Sequence, residues 1–164
     1  MKFVKETVEI IAFKALNKDI DSKWINWALE MLMAGNEFDS LSIFAGERPP
    51  YNQFELHSLT NRVFKDLCID FSDINQCIIN YVHYIIELVK NKNIEIFSAL
   101  EKLKNLYIDT DYEYLYQFYL FYFAKSDLIE SENQWYIDGI NRENFDYELD
   151  QYFVEWKSLY SAKN

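Results

Sequence analysis

Glycine and proline are nearly absent, with three and two residues respectively in a chain of 164. A sheet protein of this length needs many tight turns, and turns draw on both residue types. The scarcity therefore predicts an all-α protein with few, short connections. A loop that cradles phosphate needs clustered glycines. Two of the three here, Gly35 and Gly46, sit where helices are expected to stop, which argues strongly against such a loop.

Histidine and cysteine are equally scarce, at two each, and no Cys-x-x-Cys, His-Glu-x-x-His or nucleophile-elbow pattern occurs. Cys68 and Cys77 lie among apolar helical positions. Two buried, reduced thiols are the favoured reading over a disulfide. His83 and Glu87 are four residues apart on one helix face and could share a metal or a proton. A histidine beside apolar residues is more often a packing residue. His57 follows Glu55 but has no second histidine at ligand spacing.

Residues 109–113 resemble the start of a calcium loop, but Tyr114 stands where the sharp turn needs glycine and Leu120 where a glutamate must ligate. Asp146, Glu148 and Asp150 fail the same test, and both groups serve as acids at helix N-termini. No cofactor or metal site is expected. Long apolar runs are lacking too: 115–123, the most apolar window, is too short to span a bilayer. Glu6 and Glu9 interrupt the N-terminus where a signal peptide needs an apolar run, so a cytoplasmic location and no membrane partner are expected.

What is present is a globular composition: 50% apolar and 26% charged residues, enough for one domain with its own core. Helical periodicity predicts a helix over 3–17 with Val4, Val8, Ile11, Ala12 and Ala15 inward and Lys2, Lys5, Glu6, Glu9 and Lys14 solvated. A second helix, 23–34, is capped by Asp21 or Ser22, stopped by Gly35 and apolar nearly all round, as suits the middle of a bundle. Asp39 or Ser40 caps a short third helix ending at Gly46, and Pro49-Pro50 imposes an extended connection.

Further helices are expected over 52–68, over 73–91 (capped by Ser72, with Ile74, Ile78, Tyr81, Val82, Ile85 and Val89 inward) and over 94–107. Two more follow at 112–124 and 147–160, with a short helix and loop in the least periodic stretch, 126–146. The expectation is an all-α, single-domain irregular helical bundle of six to eight helices spanning 1–164.

Charge is distributed unevenly. Residues 109–155 hold twelve acids against only Lys125 and Arg142, a net −10 where the whole chain is −11. With Trp156, the same segment holds fifteen of the thirty aromatic residues. Nucleic acid is a poor partner for such a surface, since phosphate contacts need clustered Lys and Arg. Carboxylates beside Tyr and Trp suit a basic protein instead, the rings supplying rigid contact area and the acids orientation. The candidate partner-binding residues are Tyr112, Tyr116, Tyr119, Trp135, Tyr136, Glu143, Asp146, Glu148 and Asp150. Against this stands the plainer reading that the rings are core and the acids a solvated face.

The pattern Trp27-Ala28, Leu32, Gly35, then Ser40-Leu41 and Ala45-Gly46, resembles a signature of a family of small, uncharacterised, all-helical bacterial proteins. Downstream, Leu67-Cys68-Ile69, the helix to Lys90 and the break at Asn93-Ile94 continue in similar order. The resemblance implies an all-helical fold with no established catalytic residues, and a role of the kind suspected for such proteins, as immunity proteins of bacterial toxin systems. The chain departs from the family in its richness in tyrosine, asparagine and isoleucine.

Together these readings make the chain a non-enzymatic binding domain whose partner is a basic, toxin-like protein. The alternatives are a carboxylate-based metal-dependent hydrolase assembled across helices, and a structural module that forms a homodimer through exposed rings.

Overall fold

The computed structural model describes residues 1–163. It contains eight α-helices and one 3₁₀ turn, with no strand among the described residues, so the protein is all-α. Its contacts cluster into two compact units, Met1–Tyr81 and Val82–Asn164, and the boundary falls inside a helix, with no linker composition to mark it.

The first unit contains α1 (Thr7–Ala15), α2 (Ser22–Met33), α3 (Asp39–Ala45), α4 (Gln53–Asp66) and the start of α5 (Ile74–Lys90). The Asp21 carboxylate accepts from the Lys23 backbone N–H at 2.9 Å and caps α2. Beyond its end Gly35 takes φ +93°, a left-handed value that a side chain would strain. Trp24, Trp27, Ala28 and Met31 are buried, but Asn26, Leu29, Glu30 and Met33 are exposed. The expectation that α2 is enclosed on all sides is therefore corrected: one stripe packs and the other faces solvent. In α4, capped by Asn52, the buried stripe is Leu56, Leu59, Val63 and the following Leu67, as periodicity predicts.

The inward face of α1 differs from expectation. Glu9 and Lys14 are buried, whereas Val4, Val8, Ile11 and Ala15 are only partly so. Burial of a charge requires partners, and both have them. The Glu9 carboxylate accepts from the Tyr81 hydroxyl at 2.6 Å and from the Lys23 ammonium at 3.0 Å. Lys14 donates to the Thr60 hydroxyl at 2.7 Å and the His57 carbonyl at 3.1 Å, beneath the Phe71 ring. Among the described residues no carboxylate is paired with it, and burial lowers its pKa to about 8.

Three further local expectations are corrected. The Ser40 hydroxyl does not cap α3 but donates to the Asp66 carboxylate at 2.6 Å. Asp73, not Ser72, caps α5 by accepting from the Gln76 N–H at 3.0 Å, and Ile74 is exposed. Both cysteines are free, but only Cys77 is buried; Cys68 lies just past the end of α4, exposed, with φ +51°. The connection at Pro49-Pro50 is a bend with a cis peptide.

The second unit contains the rest of α5, α6 (Ile96–Thr110), the 3₁₀ turn Glu113–Leu115, α7 (Tyr116–Glu130) and α8 (Phe145–Leu159). Ring pairs show how the helices run. Phe97 stacks on Tyr122 while Tyr107 meets Tyr116, so α6 and α7 are antiparallel. Phe121 meets Phe145 while Phe118 meets Trp156, so α7 and α8 are antiparallel too. The core positions of these helices include Leu100, Leu103, Phe118, Phe121, Leu149, Phe153 and Trp156. The helix expected to stop at 124 continues to Glu130 and buries Leu128, so only 131–144 is irregular.

Candidate interaction surface

The acidic, aromatic segment falls entirely within the second unit, running from the end of α6 through the 3₁₀ turn, α7 and the following loop into α8. Local chemistry shapes that loop. The Gln134 side-chain carbonyl accepts from the Tyr136 and Ile137 N–H groups at 2.8 and 3.0 Å, and its amide donates to the Ile140 carbonyl at 3.0 Å. Asn144 donates to the Gly139 carbonyl at 2.9 Å and accepts from the Asn141 N–H at 2.8 Å. Gly139 itself has φ +78°. Side-chain amides replacing absent backbone partners are the usual way such segments become ordered.

Three of the candidate rings join into a ridge. Tyr116 and Tyr119 stack at 6.0 Å and both meet Tyr107 at 5.3 Å; Tyr119 touches Phe123 at 4.8 Å, and Phe123 touches Tyr136 at 5.5 Å. Tyr112 stands apart, half-buried against Tyr114. Trp135 is 88% exposed. Of the candidate acids, Glu143, Asp146 and Asp150 are exposed and Glu148 is half-buried. Asp146 is paired with Lys125 at 3.1 Å, and that ammonium also lies over the Phe145 ring. The other cation, Arg142, donates to the Leu128 carbonyl at 2.6 Å and so ties the loop to the last turn of α7. Both cations of the segment are thus engaged inside the unit, Lys125 by a carboxylate and Arg142 by backbone carbonyls.

Rings and acids do not mingle as one patch. Neighbouring residues on a helix point about 100° apart, so Tyr116 and Tyr119 share one face of α7 while Gln117 and Phe121 share another. The second face borders a cavity of about 370 Å³ between α7, α8 and the 137–140 loop. Phe121, Ile137, Ile140 and Tyr152 give it apolar surface, and Gln117, Asp138, Glu148, Gln151 and Glu155 give it polar groups. Glu148 alone among the candidate acids lines it. Sequence reasoning missed the rest, although Glu148, Gln151 and Glu155 fall at i, i+3 and i+7 on α8, a spacing that places them on one face. Burial, with smaller contributions from Tyr160 and Glu155, pushes the Tyr152 phenol well above its ordinary value.

His83 and Glu87 are each engaged by other groups. The His83 ring packs on Trp156 at 5.4 Å and its Nε2 meets the Tyr160 carbonyl. Glu87 is bonded to Lys157, which holds its carboxyl below the usual range. Among the described residues no group of three or more His, Cys, Asp or Glu side chains is arranged to hold a metal ion, and no helix is long and apolar enough to cross a membrane. The class defined by fold and surface is an all-α protein with an acidic, aromatic face. No protein-family model, curated protein or solved structure matches the chain.

Proposed function

We propose that this is a non-catalytic, cytoplasmic protein-binding domain whose second unit docks on a basic protein, as an immunity-type inhibitor covers a toxin. One observation carries the reading: both cations of 109–155 are committed internally, while Glu143, Glu148 and Asp150 have no ion-pair partner among the described residues. Unmatched carboxylates steer a basic partner and fix its orientation. In the same unit Trp135 and Tyr147, 88% and 64% exposed, offer contact area of the residue types that dominate binding hot spots. The same charge repels phosphate, so nucleic acid is not the partner.

The test is co-expression with the product of the neighbouring reading frame, followed by co-purification. Glu143→Lys with Asp150→Lys is expected to abolish capture while leaving the helical circular-dichroism spectrum unchanged. Capture that survives the double reversal overturns the reading. So does a protein that captures no neighbour and sediments as a dimer through its exposed rings.

A further inference from the structure

The cavity between α7, α8 and the 137–140 loop has an unusual inventory of unused groups. Asp138, Glu148 and Glu155 have no ion pair among the described residues, and the side chains of Gln117, Gln151 and Tyr152 make no hydrogen bond there. Asp138, Gln151 and Glu155 are exposed and Gln117, Glu148 and Tyr152 half-buried, so these six polar side chains border one solvent-open concavity and are available to a ligand within it. Three of them are anionic, so the occupant is a cation. The carboxylates do not converge as a metal cage requires, which favours an organic cation that reaches several dispersed acceptors.

We infer that this cavity receives an arginine side chain of the partner protein. The guanidinium is planar and presents five donors in a fixed fork, enough to engage two carboxylates and an amide oxygen together. It also stacks on aromatic faces, and here the Phe121 and Tyr152 rings, 5.4 Å apart and inclined at 37°, form part of the wall. A lysine ammonium, a compact and strongly hydrated point charge, uses neither the dispersed acceptors nor the ring faces as well. The volume, about 370 Å³, is that of a small-ligand site and accommodates a long side chain together with part of its backbone. The inference rests on the protein-binding reading above and adds the chemistry of the anchor.

The test needs no knowledge of the partner. The isotope-labelled full chain is titrated with three blocked tripeptides, Gly-Arg-Gly, Gly-Lys-Gly and Gly-citrulline-Gly, and amide shifts are followed by NMR. Citrulline keeps the shape of arginine without its charge. The arginine peptide is expected to shift the amides of Gln117, Gly139, Ile140 and Gln151 in the millimolar range, with the citrulline peptide inert. Glu148→Gln and Glu155→Gln, both bordering the cavity, are each expected to weaken the response about tenfold, the effect of one charge-assisted hydrogen bond.

Equal response to lysine overturns the guanidinium assignment. Shifts that follow the acids over both units, or that persist in both glutamine variants, overturn the site. Failure here with capture still lost in Glu143→Lys with Asp150→Lys removes the anchor and leaves the protein-binding reading standing. Success here with capture unaffected by that double reversal does the opposite.

Discussion

The two units use charge in opposite ways. In Met1–Tyr81 ions are drawn inward: Glu9 is held by Tyr81 and Lys23, and Lys14 by Thr60 and the His57 carbonyl. In Val82–Asn164 the charges are sorted along the chain. Residues 82–108 carry four lysines against three glutamates, whereas 109–155 carry twelve acids against two cations. A charge satisfied within the fold specifies the fold; one left unmatched on a surface is available to a partner. The rings divide likewise. Trp27 packs edge-on against Phe64 in the first core, while the ridge from Tyr116 to Tyr136 is only half covered.

The sharpest break of this comparison is truncation of one tryptophan from each unit. Trp27, 2% exposed, donates its indole N–H to the Thr7 hydroxyl at 3.0 Å. Trp27→Ala is expected to cost about 3–5 kcal/mol in denaturant unfolding, and Trp135→Ala less than about 0.5 kcal/mol. Equal costs would erase the contrast.

Next comes the buried cation. Lys14 titrates near 8 in the folded protein, below its ordinary 10.5. The unfolded chain therefore holds this proton more tightly, and the burial penalty is fully present below pH 8. It is relieved as pH rises from about 8 to 10.5. Relative to Lys14→Met, which cannot titrate, the natural chain is expected to gain up to about 3 kcal/mol of stability across that window. Parallel pH profiles of the two would show that Lys14 stays hydrated.

A smaller effect is expected at the loop anchor. Arg142→Ala removes the donor to the Leu128 carbonyl and should cost about 1–2 kcal/mol, with faster hydrogen exchange confined to 131–144. Smallest of all, Lys125→Ala breaks the partly exposed pair with Asp146 and the contact with the Phe145 ring, and is expected to change stability by no more than about 1 kcal/mol. It frees one more acid, so it should strengthen capture of a basic partner, measured by the dissociation rate.

Much of the helical framework was legible in local sequence. Gly35 stops α2 and Asp21 caps it, and Leu56, Leu59 and Val63 bury one stripe of α4, because capping and periodicity act within a few residues. The end of α7 was not legible. Past 124 the apolar period weakens, and what extends the helix is burial of Leu128 and an arginine donated from fourteen residues onward. The candidate surface was legible as a charge count, which singled out Glu143, Asp146 and Asp150, and all three are exposed. The count could not show that Asp146 is neutralised by Lys125, twenty-one residues earlier, or that Gln117, Gln151 and Tyr152 border one cavity.

By itself, then, the sequence determined an all-α protein, since three glycines and two prolines leave too few turns for a sheet, and it determined an acidic, aromatic final third. Tertiary structure alone decided which charges are used up. Glu9 is buried because Tyr81, seventy-two residues away, reaches it, and Glu148 borders a cavity because antiparallel α7 and α8 bring Gln117 and Phe121 opposite. Helix propensity is read over one turn of chain, but satisfaction of a charge depends on groups that only packing brings within 3 Å.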